Sequence, residues 1–341
     1  MKFDFVIGNP PYQDETLGDN KGYAPPVYHK FLEESYKVGN AVEMIHPARF
    51  LFNAGSTPKA WNEQMLNDPH IKVKLYEQDS SKVFSNTDIK GGVAVTYRDG
   101  KKKCGAIGTF TPYNEMNSIV RKVCINTSFD SIANIIFIQN RFDLQALYED
   151  YPESRASIGS DGRDSRLEKN IFIKVPIFQD SAFTEDIKVL GVLKNKRAWK
   201  HLKRKYIDMS HENLSKYKVV LPVANGSGDF GQMLSSPIVQ NPFEAYTRSF
   251  IGIGAFETIE EAEAALKYVK TKFARAMLSV LKVTQMNNKD VWEKVPLQDF
   301  TPDSDIDWSG SVAEIDQQLY RKYGLSDNEI AFIETKVKEM I

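Results

Sequence analysis

Hydrophobic positions along the chain fall into two rhythms, one early and one late. Residues 3–7 (FDFVI) form a compact, β-favouring apolar run ended by Gly8-Asn9-Pro10-Pro11, which predicts a strand followed by a loop. Over residues 26–38 (PVYHKFLEESYKV), Val27, Phe31, Leu32, Tyr36 and Val38 recur at roughly helical spacing. AVEMIHPARFL then reads as a strand ending near His46-Pro47, IKVKLYE (71–77) as another and GGVAVTYRD (91–99) as a further one. Strand–helix–strand alternation over the first hundred or so residues predicts an α/β unit with a parallel sheet.

Beyond about residue 125 the texture changes. Short strand-like pieces, IIFIQ (135–139) and IFIKVPIF (171–178), are separated by clusters of Gly, Ser, Asp and Asn, and the polar stretch 157–170 reads as a surface loop. Residues 258–284 carry the clearest helical pattern, with Thr258 and Glu261 placed as a capping box. The C-terminal segment reads as two helices joined at Gly324, with Ser326 as a second cap. A division near residue 125 follows: residues 1–125 form one domain, and 126–341 a mixed α+β domain ending in helices.

Composition narrows the class. With 42% hydrophobic and 26% charged residues, the 341-residue chain has a globular profile, and no run approaches the roughly 18 apolar residues a membrane span needs. The start of the chain, MKFDFVIGNPP, has no secretory signal pattern, and the two cysteines, Cys104 and Cys124, carry no metal or disulfide spacing. A reducing cytoplasm is the expected setting. The net charge of −1 excludes a uniformly basic nucleic-acid binder, so affinity for a polyanion has to come from local concentration of charge.

One such concentration exists. Lys194, Lys196, Arg197, Lys200, Lys203, Arg204 and Lys205 fall in a single short segment, interleaved with Trp199, His201 and Tyr206. Lysines and arginines supply phosphate contacts and register, while interleaved aromatic and polar groups reach bases. A second set, Lys267, Lys270, Lys272, Arg275, Lys282 and Lys289, lies on or after the long predicted helix and reads equally well as an ordinary surface face. NGSGDFG (225–231) reads as a loop suited to following a groove, or as a plain turn.

The sharpest chemical signal is Asn9-Pro10-Pro11-Tyr12 directly after a hydrophobic strand, since ligands of open α/β sheets sit at the carboxyl ends of strands. Two prolines fix φ and remove two backbone donors while leaving two carbonyl acceptors. Pro10 biases Asn9 toward an extended conformation, so the Asn9 amide oxygen and the Pro10 carbonyl can converge on one amino group. Tyr12 adds a flat face for a base. An exocyclic amine is a poor nucleophile because its lone pair is delocalised. Two acceptors on its hydrogens favour the pyramidal, partly positive nitrogen that forms as a methyl group arrives.

FDFVIGNPPY resembles motif IV of amino-group methyltransferases, whose Asn/Asp-Pro-Pro-Tyr/Phe loop grips an extruded base. PVYHKFLEESYKVGNAVEMIHPARFL is similar to motifs V and VI, and VFSNTDIKGGVAVTYRDG to motifs VII and VIII of restriction–modification adenine methyltransferases of the type IIG kind. GAFETIEEAEAALKYVKTKF to VWEKVPLQDFT, with LYRKYGLSDNEIAFIE, resembles the C-terminal end of the same proteins. The resemblance implies a partial Rossmann-like methyltransferase sheet followed by a target-recognition domain acting on double-stranded DNA. It implies that Asn9, Pro10, Pro11 and Tyr12 form the catalytic loop, and that Tyr12 and Tyr97 stack on the flipped adenine. It also implies S-adenosyl-L-methionine as cofactor.

The sequence departs from the family where the cofactor is concerned. The family builds that site mainly from Gly-rich and acidic motifs before the Asn-Pro-Pro-Tyr loop, and here no Gly-rich strand–turn–helix is evident; GIGAF (252–256) alone is weak. The reading is therefore the later part of an adenine-N6 methyltransferase, completed by an N-terminal half or partner subunit, with a nuclease or helicase as a further associate. The alternative is a DNA-binding specificity module without catalysis of its own. No nuclease centre stands out, Asp68, Glu77 and Lys82 having only a vague acidic–basic order.

Overall fold

The computed structural model describes residues 3–14, 24–53, 55–124, 129–158 and 165–340. It is a mixed α/β protein whose residues pack as two compact units, one up to Asn117 and one from Ser118. No helix among the described residues is long and apolar enough to cross a membrane.

The first unit is a four-stranded sheet with helices α1 (Tyr28–Val38) and α2 (Lys59–Asn67). Its strands β1 (Phe3–Gly8), β2 (Gly39–Pro47), β3 (Ile71–Glu77) and β4 (Val93–Asp99) lie in the order β1-β2-β4-β3. β1 and β2 run parallel, and β4 is antiparallel to both of its neighbours. The α1 crossover makes the parallel pair possible, because parallel strands need a connection longer than a hairpin. Gly39 permits the tight entry from α1 into β2, since a Cβ there would lie 2.8 Å from methyl groups of both Val6 and Val42.

Strand alternation gives this sheet two unlike faces. Val42, Met44, His46 and Thr96 share the buried face. There Tyr28 stacks on His46 at 5.7 Å, with Phe50 and Trp61 closing the cluster. On the opposite face β1 presents Phe3, Phe5 and Ile7, which are 63%, 72% and 81% exposed. β1 is also an edge strand, so its second edge has no strand partner among the described residues.

Helix α3 (Asn114–Cys124) follows. The second unit then contains β5 (Ile136–Phe137), α4 (Leu144–Asp150), α5 (Ser154–Ile158), α6 (Ile171–Lys174), β6 (Asp186–Leu193), β7 (Lys196–Lys203), β8 (Tyr217–Pro222), β9 (Ile238–Gln240), β10 (Glu244–Tyr246) and β11 (Phe250–Phe256). Helices α7 (Ile259–Lys270), α8 (Lys272–Leu278), α9 (Val312–Lys322) and α10 (Asp327–Lys336) close the chain. One sheet has the order β10-β6-β7 and the other β5-β11-β8-β9. A core of Leu147, Ile171, Val175, Ile187, Leu202 and Tyr206 lies under β6 and β7.

The parallel sheet expected for the first unit is instead a mixed one, with only β1 and β2 parallel, and three further sequence expectations are corrected by the fold. IFIKVPIF is not a strand: Ile171–Lys174 is a single helical turn and the rest is irregular, a short apolar run being ambiguous between the two states. IIFIQ contributes only the two-residue strand β5. The helix read over 258–284 is two helices broken at Thr271, whose side chain caps α8 by accepting from the Ala274 amide. Asp316, on α9, accepts from the amides of Lys272 and Phe273, so a carboxylate distant in sequence creates the second helix start. The capping boxes at Thr258–Glu261, Ser311–Glu314 and Ser326–Glu329 are all present, and Gly324 takes a positive φ between the last two helices. Of the polar stretch 157–170, residues 159–164 lie outside the described ones.

Candidate functional site

The Asn-Pro-Pro-Tyr segment leaves the carboxyl end of β1, one strand away from the carboxyl end of β2. Pro10 is buried while Asn9 is exposed, and the Asn9 amide makes no hydrogen bond among the described residues. The Tyr12 carbonyl accepts from the Val27 amide at 3.1 Å, and the Asp14 amide donates to the Pro25 carbonyl at 2.9 Å. These bonds tie the loop to the entry of α1 and fix where Tyr12 sits. The Tyr12 hydroxyl is buried without a hydrogen-bond partner among the described residues, and burial raises its pKa. A buried hydroxyl with no partner is an uncommon and unfavourable state, satisfied when a ligand supplies one.

Tyr12 borders a cavity of about 290 Å³ lined also by Tyr28, Arg49, Thr57 and Ile89. Arg49 reaches it because Gly55 and Gly91 leave room for its stem: a Cβ on Gly91 would lie 2.8 Å from Arg49 Cγ. Its Nε donates to the Lys90 carbonyl, which orients the guanidinium. His46 lies below, fully buried between Tyr28 and Phe50, with Nε2 2.8 Å from Thr96 Oγ1. Burial pushes its pKa down to about 4.

The aromatic neighbour of Tyr12 is Phe84, with ring centroids 6.3 Å apart and edge-on. Tyr97 is not brought to Tyr12. It pairs across the sheet with Glu43 and Lys72, away from the Pro47–Val93 end. Alternation turns its ring to the face opposite His46, where Lys72 Nζ lies 5.5 Å from the ring centroid and the hydroxyl donates to Asp99 at 3.3 Å. Tyr28 and Arg49, which line the cavity, and Phe84, which packs edge-on against Tyr12, are the residues that sequence reading missed. Phe84 was visible in VFSNTDIKGG as an aromatic just before a strand, but its proximity to Tyr12 depends on a loop with no periodicity.

The basic segment is a β-hairpin. Lys194 and Asn195 both have positive φ and form the two-residue turn between β6 and β7, a backbone that right-handed strand twist favours. On β7, side chains alternate between faces, so Lys200 and Lys203 do not share one. Lys200 pairs with Asp180 and Lys205 with Asp150, while Arg204 lies over the Phe243 ring at 4.4 Å. Lys194, Lys196 and Arg197, at the exposed tip, have no carboxylate partner among the described residues. The second basic set is largely structural. Lys267 is bound by three carbonyls, Lys272 pairs with Glu334, and Arg275 and Lys282 are buried. Asp68 and Glu77 are likewise engaged, by Arg98 and Lys82.

Residues 1–84 match the family model described as Eco57I restriction-modification methylase. An "Uncharacterized adenine-specific methylase" of Mycoplasma pneumoniae is 30% identical over 95 residues, which are 27% of this chain and 22% of that protein. Among solved structures, the Type IIL restriction-modification enzyme MmeI in complex with DNA aligns with a TM-score of 0.40 and 9% identity, covering 97% of this chain and 56% of that one. The chain thus spans about a fifth of the curated relative it matches, 22% by length.

Proposed function

We propose that this chain carries the catalytic loop and target-recognition domain of a DNA adenine-N6 methyltransferase of a restriction–modification system. The observation that carries the reading is the Asn9–Tyr12 loop at the carboxyl end of β1, beside a cavity that Tyr12 borders. The family match over residues 1–84 covers this loop. In this reading the sheet is half of a Rossmann-like methyltransferase sheet.

Adenine, rotated out of the duplex, presents its amino group to the loop. The Asn9 amide oxygen and the Pro10 carbonyl accept its two hydrogens. Their pull is strongest as the nitrogen becomes pyramidal and partly positive, so they act on the transition state more than on binding. Tyr12 and Phe84 are the aromatic groups that contain the ring. A methylase of this kind takes its methyl group from S-adenosylmethionine. Among the described residues, β1 and β2 end in Asn-Pro-Pro and His-Pro, with no glycine turn opening a helix, so they do not fit an adenosyl group. The unpaired edge and bare apolar face of β1 support a partner half that covers them and holds the cofactor. Without that half, the chain acts as a DNA-binding module alone.

The test is Asn9→Ala in the chain reconstituted with a cofactor-binding half. Turnover, measured by labelled methyl transfer, should fall by two to three orders of magnitude, roughly 3–4 kcal/mol, with DNA affinity unchanged. Near-normal turnover would remove Asn9 from the mechanism.

A further inference from the structure

The connection from β8 to β9 occupies residues 223–237, more than a hairpin between neighbouring antiparallel strands needs. It is also held far more firmly than a spacer. The Gln232 side-chain oxygen accepts from the amides of Ser227 and Gly228 at 3.1 and 3.2 Å, and its nitrogen donates to the Asn225 carbonyl at 3.2 Å. Buried Lys282 donates to that same carbonyl at 3.0 Å, and the Asn225 amide nitrogen donates to the Met233 carbonyl at 2.7 Å. Glycine is required at two positions with positive φ. A Cβ on Gly226 would lie 2.1 Å from the Gln232 oxygen, and one on Gly228 would lie 2.5 Å from the backbone of residues 283 and 284. The frame is thus set from below, while Ser227, Asp229, Ser235 and Ser236 remain exposed.

Arg197 joins this loop to the basic hairpin, its Nη2 donating to the Ser235 carbonyl at 2.6 Å. The hairpin that bears the exposed cations Lys194 and Lys196 therefore meets the row of small polar side chains through Arg197, at Ser235. We propose that the loop reads base edges of duplex DNA through Ser227 and Asp229, while Lys194, Lys196 and Arg197 contact the flanking phosphates. The charge of the tip selects a polyanion. The loop adds what a phosphate-only contact lacks: a carboxylate that accepts from a base amino group and a hydroxyl that pairs with either kind of edge. Both are small, and their backbone is ordered before binding, so little entropy is lost on contact. The proposal rests on the reading of the chain as a DNA-acting protein and names the surface that confers its sequence preference.

The test uses the full chain, a randomised duplex pool with sequencing of the bound fraction, and fluorescence anisotropy over a salt series. Asp229→Asn and Ser227→Ala should change the enriched sequence at one or two base pairs, by roughly ten- to a hundredfold per position, and leave the salt slope intact. Lys194→Ala and Lys196→Ala should weaken binding to all sequences alike and lower the log–log salt slope by about one for each phosphate no longer neutralised. Gln232→Ala, which frees the loop frame but keeps its exposed groups, should blur the preference without inverting it. Thermal melting identifies any variant that fails to fold, and Asp229→Glu then serves in place of Asp229→Asn. Loop variants that bind duplex DNA with unaltered preference would overturn the proposal and leave the DNA reading standing. A wild-type chain that binds no duplex DNA, or binds single-stranded RNA better, would overturn both.

Discussion

Strands β1, FDFVIG, and β11, FIGIGAF, are both built largely of Phe, Ile and Gly and have opposite fates. β11 lies between β5 and β8, and its Phe250, Ile251 and Ile253 are buried. β1 lies at a sheet edge with Phe3, Phe5 and Ile7 turned outward. Hydrophobicity alone does not separate them; their surroundings do. In the second unit even a fully buried cation is held: Lys218 donates to the carbonyls of Leu214, Lys216 and Asn241. The first unit keeps an apolar face of a kind that globular proteins normally cover. The strand that leads into the Asn-Pro-Pro-Tyr loop is therefore also the one that a further surface would complete.

The largest effect that tests this contrast is in stability. Ile253→Ala removes packing from a closed core and should cost about 2–5 kcal/mol. Phe5→Ser, on the bare face, should change the stability of the isolated chain by no more than about 0.5 kcal/mol. Urea melts of both variants, compared at constant m, measure the difference. Comparable losses would mean that β1 is covered in solution, and the contrast would vanish.

A pH titration sharpens it next. His46 is a base whose folded-state pKa is depressed to about 4 by burial. The unfolded chain takes up a proton near pH 6.5 and the folded chain only near 4, so stability is full above 6.5 and falls as pH drops through that window. The loss approaches roughly 1.4 kcal/mol per pH unit in the middle of the window, on the order of 3 kcal/mol in all. His46→Gln keeps a polar contact to Thr96 and removes the proton. Urea melts between pH 7 and 4.5 should therefore be less steep in pH for the variant by about that amount; an unchanged slope would assign the titration to other groups.

Legibility of the sequence divides along physical lines. β1, β2 and β4 were readable because each is a β-favouring run closed by Gly or Pro, β3 because its apolar residues alternate with lysines, and the capping boxes because they are local. What depends on distant residues was not readable. Asp316 starts α8 from another helix, and Asp180 and Asp150 neutralise cations that the sequence shows only as a cluster. Strand alternation then divides the remaining cations between two faces. In the candidate site the Asn-Pro-Pro-Tyr loop was visible as a motif, and its tie to the Val27 amide and its aromatic neighbour Phe84 were not, because both cross loops.

The smallest expected effects decide which aromatic groups hold the base. Stacking on an aromatic platform contributes on the order of 1–3 kcal/mol per base, so Phe84→Ala in the reconstituted enzyme should lower activity on a paired site by roughly ten- to a hundredfold. A mismatch opposite the target adenine should restore part of it, since extrusion is then easier. Tyr97→Ala should do little by comparison. Its ring is spent on Lys72 and its hydroxyl on Asp99, both on the sheet face away from His46. Removing it deletes a half-buried cross-strand pairing, worth under about 1 kcal/mol of stability, and leaves the neighbourhood of Tyr12 intact. A fluorescent 2-aminopurine at the target position reads out the extruded population directly. Phe84→Ala should shift that signal and Tyr97→Ala should not; a shift for Tyr97 alone would move the stacking partner back to β4 and require the first unit to rearrange when DNA binds.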